Sequence, residues 1–229
     1  MSKMMVKSTN ARRALYNDLA NKGEYAGKII TPGYLRFEQS LQGGATTGFQ
    51  FNVLENQGST NVTERRLKLP DAFVIEKMTM AIFKAGASTT ATQAEIAVSN
   101  LSTFPNPQVF TGANEATNLM NYYNGYVSIR VNETVYIDSM DIMRFYRVAT
   151  SQQNVGAATG VTPVQRDEWN APDYSFYELT PTITLDGGLS NIIQVNLPAS
   201  ISMIGTSSQN FAVCICRGFL IQNGSQRGR

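Results

Sequence analysis

Between Tyr126 and Ile137 the chain alternates apolar and polar residues with a period of two, and this alternation constrains the fold more than any other feature. Val127, Ile129 and Val131 fall on one face, and Tyr126, Ser128, Arg130 and Asn132 on the other. After a turn near Asn132-Glu133, Val135 and Ile137 resume the inward face. A strand with one buried and one solvated side produces this pattern, so the segment predicts an antiparallel hairpin. Further strands are predicted at Tyr34–Gln39 after Pro32-Gly33, at Gly48–Leu54 after Gly43-Gly44, at Leu179–Leu185, at Ile193–Leu197 and at Phe211–Ile221. Phe73–Lys84 is a long strand that is apolar on both sides. Val74, Met78, Met80 and Ile82 share one face; Phe73, Ile75, Ala81 and Phe83 share the other. Such a strand is buried twice, by the core and by a partner or a loop.

About eight strands, few helices, no βαβ alternation and no repeat of about 20–50 residues predict an all-β chain. The expected fold is a single antiparallel eight-stranded β-sandwich, and the long connections favour a jelly roll, two four-stranded sheets built from two Greek keys. Residues 1–30 read as a basic N-terminal arm with a short helix. Residues 31–222 read as the jelly-roll domain, with a polar loop insertion at about 149–174, and residues 223–229 as a basic C-terminal tail. In the arm, Asn10 is placed to cap a helix over Ala11–Lys22, with Leu15 and Leu19 one turn apart and Gly23 as a stop. That helix is too short to stand alone in water, so it must dock on its own body, on a neighbouring copy or on a polyanion. A second short helix is predicted at Asn114–Tyr123, ended by Asn124-Gly125.

The chemistry of the 229 residues is as restricted as their periodicity. There is no histidine, which excludes an imidazole base, a Ser-His triad and a histidine zinc site. Charged residues are 16% of the chain, below a typical ~25%. Asp138 and Asp141, and the adjacent Asp167-Glu168, are the only paired carboxylates that would suit glycosidic chemistry, and each also fits a turn or cap. GAATG lacks the Lys-Ser/Thr of a phosphate loop. Cys214 and Cys216 would point to one face of a strand about 6.5 Å apart with parallel Cβ vectors, so free thiols and a reducing cytoplasm are expected, and no cofactor or metal. The first residues hold no apolar secretory core. The longest apolar run, Phe211–Ile221, is broken by Arg217 and Gly218 and falls short of the ~20 residues of a membrane helix.

Charge is concentrated at the ends. Residues 1–28 hold Lys3, Lys7, Arg12, Arg13, Lys22 and Lys28 against Asp18 and Glu24, and residues 217–229 hold Arg217, Arg227 and Arg229 with no acid. An acidic body with basic ends suits polyanion binding through tails, and Lys3, Lys7, Arg12, Arg13, Arg227 and Arg229 are the candidate nucleic-acid contacts; solubility alone is the plainer reading. Tyr122, Tyr123, Tyr126, Phe145 and Tyr146 cluster near Arg130, Arg144 and Arg147. Such a set serves a core, then a subunit interface, then base stacking. Leu15, Leu19, Tyr122, Tyr123, Arg144, Phe145 and Tyr146 are the candidate interface residues.

The stretch NEATNLMNYYNGYVSIRVNETVYIDSMDIMRFYRVATSQQ, residues 114–153, resembles the major capsid proteins of small tailless icosahedral bacteriophages of flavobacteria and their relatives. The shared features are a short helix ending in Tyr-Asn-Gly-Tyr, an alternating hairpin, Arg-Phe-Tyr-Arg and a Gln-rich loop. PTITLDGGLSNIIQVNLP, residues 181–198, fits the same pattern. The resemblance implies a coat subunit, not an enzyme, assembled in the host cytoplasm into pentamers or hexamers of an icosahedral virion shell around a phage genome. It implies contacts with copies of itself and with other virion proteins. Some related phages carry an internal lipid layer and capsid proteins of two fused jelly rolls. This chain has room for one, which leaves open its place as shell or vertex protein and any membrane contact. Two other readings remain: a lectin-like or receptor-binding jelly roll holding a sugar on its loops, and a glycan hydrolase using Asp138 and Asp141.

Overall fold

Antiparallel pairs nested one inside another organise the chain. A computed structural model describes residues 2–41, 46–86, 91–112, 114–148, 175–201 and 209–225, with the side chains of 2–9, 46 and 201 outside the description. Eight strands lie among the described residues: β1 (Ile30–Ser40), β2 (Thr46–Phe51), β3 (Ala72–Ala85), β4 (Tyr126–Val131), β5 (Thr134–Asp141), β6 (Tyr177–Asp186), β7 (Asn191–Ile201) and β8 (Gln209–Ile221). β1 pairs with β8, β2 with β7, β3 with β6 and β4 with β5, all antiparallel. Two further pairings, β3 with β8 and β4 with β7, complete two four-stranded sheets of order β1-β8-β3-β6 and β2-β7-β4-β5. The chain is thus an all-β sandwich. The segment at 149–174 expected as an insertion lies outside the described residues.

The core between the sheets takes the inward residues of every strand, among them Phe37, Phe51, Phe73, Met80, Ile129, Val195 and Leu185. Pro32 is tolerated inside β1, and Pro181 inside β6, because both strands are sheet edges and need no ladder N–H on the open side. Cys214 and Cys216 are free, buried in this core with Sγ atoms 3.9 Å apart. Their mutual hydrogen bond, and then burial, push the Cys214 thiol well above its usual range.

β3 departs from simple alternation. Its register against β8 shifts between Ile75 and Lys77, so Glu76 is the extra residue of a bulge there, while against β6 the same point faces extra residues of β6, between Glu178 and Ile183. Phe73 and Ile75 face the core before the bulge, and Met78, Met80 and Ile82 after it; Val74, Ala81 and Phe83 face outward. The expected grouping of Val74 with Met78, and of Phe73 with Ala81, is therefore corrected: the bulge inverts the phase midway. β8 accommodates it with Gly218, where a Cβ would clash with the Val74 carbonyl oxygen. β5 is shifted twice against β4, between Val127 and Ile129 and between Ile129 and Arg130. As a result Val135 points out and is 53% exposed, against the inward face expected of it.

Among the described residues two helices pack on the outer face of the first sheet. Helix α1 spans Ser2–Asn21, longer than the expected Ala11–Lys22, and Asn10 lies inside it rather than capping it. Lys3, Met4, Met5 and Lys7 are good helix formers and no breaker precedes Gly23, so the helix propagates past Asn10. Leu15 and Leu19 dock on Ala72, Val74, Phe219 and Ile221 of the first sheet, beside Tyr25 of a short 3-10 turn, Gly23–Tyr25. Helix α2 (Gln93–Ala97) has a capping box, with the Thr92 hydroxyl accepting from Glu95 N–H and the Glu95 carboxylate accepting from Thr92 N–H. Its Ile96 packs on Ala81, Phe83, Phe211 and Val213. Helix α3 (Glu115–Tyr123) confirms the second expected helix and feeds Leu119, Tyr122 and Tyr123 into the core.

Candidate functional site

The outer face of the second sheet is built by the polar half of the alternating pattern. β4 contributes Tyr126, Ser128 and Arg130, and β7 contributes Ile192, Gln194 and Asn196, in register as Tyr126–Asn196, Ser128–Gln194 and Arg130–Ile192. β2 extends the rows with Gly48 beside Asn196 and Gln50 beside Gln194; β5 adds Asp141 beside Tyr126 and Val135 beside Arg130. The residues of β4, β5 and β7, with Asp138, line a depression of about 840 Å3, and Gly48 and Gln50 lie beside it on β2. Amides run across it: Gln50 Nε2 donates to Gln194 Oε1 at 3.5 Å, and Gln194 Nε2 donates to Asn196 Oδ1 at 2.9 Å.

Of the four carboxylates considered for chemistry, Asp141 has a structural role. It accepts from the Arg144 N–H at 3.1 Å and from Arg144 Nε at 2.7 Å, capping the 3-10 turn Ile142–Phe145. Arg144 also donates to the Tyr177 hydroxyl at 3.0 Å and lies 5.1 Å from its ring centroid. Asp167 and Glu168 lie outside the described residues.

The candidate interface residues separate into two groups. Tyr122, Tyr123 and Phe145 are fully buried in the chain's own core, so they offer no surface to another copy. Tyr122 and Tyr123 belong to a file of rings, Phe51–Phe49–Tyr122–Tyr123–Tyr146–Phe104, with centroids 5.2 to 6.4 Å apart. Burial pushes both tyrosine hydroxyls far above their ordinary range. Leu19 is spent on docking α1, and Leu15 is half-buried there with it. Tyr146 is half-buried in the aromatic file, and Arg144 alone of the group is exposed.

The basic ends separate similarly. Arg12 pairs with Glu76 at 3.4 Å and sits 5.5 Å from the centroid of the Phe219 ring, so it holds α1 to the sheet rather than reaching outward. Arg13 is exposed. Lys3 and Lys7 fall on α1, but their side chains lie outside the described residues, as do Arg227 and Arg229 altogether. Arg217 belongs to β8, not to a tail, and stacks at 3.9 Å over the Phe176 ring.

Two buried polar knots were not foreseen. Glu38 accepts from Arg36 Nε at 2.7 Å, Asn61 Nδ2 at 2.9 Å and the Thr63 hydroxyl at 2.5 Å; the Glu64 carboxylate accepts from Glu38 N–H, Asn61 N–H and Arg66. This network pins the 56–66 loop to the edge of β1. In the second knot Glu115 accepts from Lys84 Nζ at 2.8 Å, Asn210 Nδ2 at 2.6 Å and the Gly112 N–H at 2.8 Å. Burial alone would raise its pKa, but the hydrogen bonds from Lys84, Asn210 and Gly112 outweigh it and hold the carboxyl below its ordinary value. The recurrence of a Glu at the start of a helix, here and at Glu95, is the one sequence signal that pointed to such a knot.

Among the described residues no group of three or more Asp, Glu or Cys side chains is arranged to hold a metal ion, and no helix is long and apolar enough to cross a membrane. No protein-family model, curated protein or solved structure matches the chain.

Proposed function

We propose that this chain is a viral structural protein, a jelly-roll capsid subunit that self-assembles into an icosahedral shell around a phage genome in the host cytoplasm. The observation that carries the reading is the nesting of strand pairs, first with last and so inward to the β4–β5 hairpin. One long antiparallel ribbon rolled into two sheets has this pairing, which is the two-Greek-key logic of a jelly roll. The likeness of residues 114–153 and 181–198 to tailless-phage capsid proteins supports it from the sequence side. Copies would meet through the exposed Tyr136 on the β5 edge and Arg144 in the turn that follows it, since the aromatic file is spent internally. Genome contact falls to Arg13, Lys3, Lys7, Arg227 and Arg229, because Arg12 is engaged with Glu76. Each phosphate so neutralised adds about −0.7 to the log–log salt slope on single strands.

The test is electron microscopy and light scattering of the purified full chain, with and without single-stranded DNA. Closed particles or ring-shaped oligomers are expected. A discrete monomer under every assembly condition, at high protein concentration and with nucleic acid present, overturns the proposal.

A further inference from the structure

We propose that the outer face of the second sheet is a binding site for a neutral polysaccharide. The proposal is independent of shell assembly and rests on the depression floored by β4 and β7. Three features of that face match the chemistry of a sugar chain.

First, the fixed amides. A saccharide presents hydroxyls that both donate and accept, and it is held best by side chains that do the same. Gln194 and Asn196 are held together by a 2.9 Å hydrogen bond, so their amide groups are oriented before a ligand arrives, and Gln50 reaches toward Gln194 from β2 beside the depression. Gly48, in register with Asn196, leaves the end of the row without a side chain. Second, the ring. Tyr126 is 44% exposed beside Asn196 and offers an apolar face to the C–H side of a pyranose. Third, the charges. Arg130 and Asp138 line the depression from β4 and β5, and no ion pair or side-chain hydrogen bond occupies either one among the described residues. Asp141, by contrast, is engaged by Arg144. A free carboxylate takes two neighbouring hydroxyls of a diol, and a guanidinium donates to ring and hydroxyl oxygens. The two opposite charges cancel, so the face selects a neutral chain over an acidic one. Its length along three register rows suits several sugar units of an extended polymer rather than a single enclosed monosaccharide.

The experiment is ligand-observed saturation-transfer NMR on the full chain with cellohexaose, chitohexaose and laminarihexaose as neutral probes, and hexagalacturonate as the acidic one. Transfer to at least one neutral probe is expected, weakened about tenfold or more in both Tyr126→Ala and Asp138→Asn and kept in Asn100→Ala, a change at an exposed position remote from the face. The exposed positions of Tyr126 and Asp138 leave the fold unperturbed, which an unchanged thermal midpoint verifies. Absence of transfer to all three neutral probes overturns the proposal. So does transfer that both variants retain, or a preference for hexagalacturonate that depends on Arg130.

Discussion

The two sheets of this sandwich share a core but treat their outer faces in opposite ways. The face of β1-β8-β3-β6 carries Val74, Ala81, Phe83, Val213 and Phe219, and the chain covers them with α1 at one end and α2 at the other. The face of β2-β7-β4-β5 carries Ser128, Arg130, Gln194 and Asn196, and no helix among the described residues packs over it. The difference lies in the strands themselves. β3 and β8 bury nearly every residue, whereas β4 alternates strictly. A strand apolar on both sides is a demand for a second cover, and here the chain supplies its own from segments that would otherwise be an arm and a loop. That cover makes the first sheet the middle layer of three among the described residues.

The contrast can be broken most severely at Phe83. Its ring is fully buried on the covered face, 4.7 Å from the Phe211 ring centroid, and Phe83→Ala should cost about 3–5 kcal/mol. Ser128→Ala on the open face should stay within about 0.5 kcal/mol. Chemical denaturation of the two variants measures the difference, and equal costs would erase the distinction between the faces. Leu19→Ala comes next, at about 2 kcal/mol, the low end for a buried leucine because only one row of α1 touches the sheet. Its signature is local: amide exchange across Arg12–Asn21 should quicken while the amides of β3 and β8 keep their protection. Loss of protection in both together would mean that helix and sheet open as one unit.

The smallest effect concerns pH. The Glu115 carboxyl is held below its ordinary value in the folded chain. Its contribution is therefore fully present above the unfolded value of 4.5 and is lost as pH falls through the lower folded value. The thermal midpoint should drop on acidification below that point. Glu115→Gln should lower stability at neutral pH and flatten part of the acid drop; a variant whose acid profile matches the parent's removes Glu115 from the account.

What could be read from the residues alone follows the same divide. The β4–β5 hairpin, the strand ending at Ile221 and the helix ending at Tyr123 were legible because each rests on local periodicity or a local stop signal, whereas the strand expected over Gly48–Leu54 stops at Phe51. The phase of β3 was not, because a bulge is set by the neighbouring strand and Glu76 carries no mark of its own in the chain. The fate of Tyr122, Tyr123 and Phe145 was equally hidden: an aromatic suits a core and an interface alike, and only the packing of α3 between the sheets decides. The Thr92–Glu95 capping box is visible in the residues, but it opens a helix of only five residues, too short for periodicity to mark. The open face of the second sheet was readable as polar from Ser128, Arg130, Gln194 and Asn196, but its continuity across four strands depends on register, which periodicity does not set.

The bulge at Glu76 has a genetic corollary. Removing that one codon would restore unbroken pleating between β3 and β8 and turn Met78, Met80 and Ile82 toward the exterior while Ala81 and Phe83 swung into the sandwich, a wholesale exchange of linings from the loss of a single half-buried residue. Substitution at the same codon leaves the reading frame of the pleat intact. Position 76 should therefore tolerate many letters and no gap, with Gly218 across the ladder tied to it as the small residue that a displaced backbone requires.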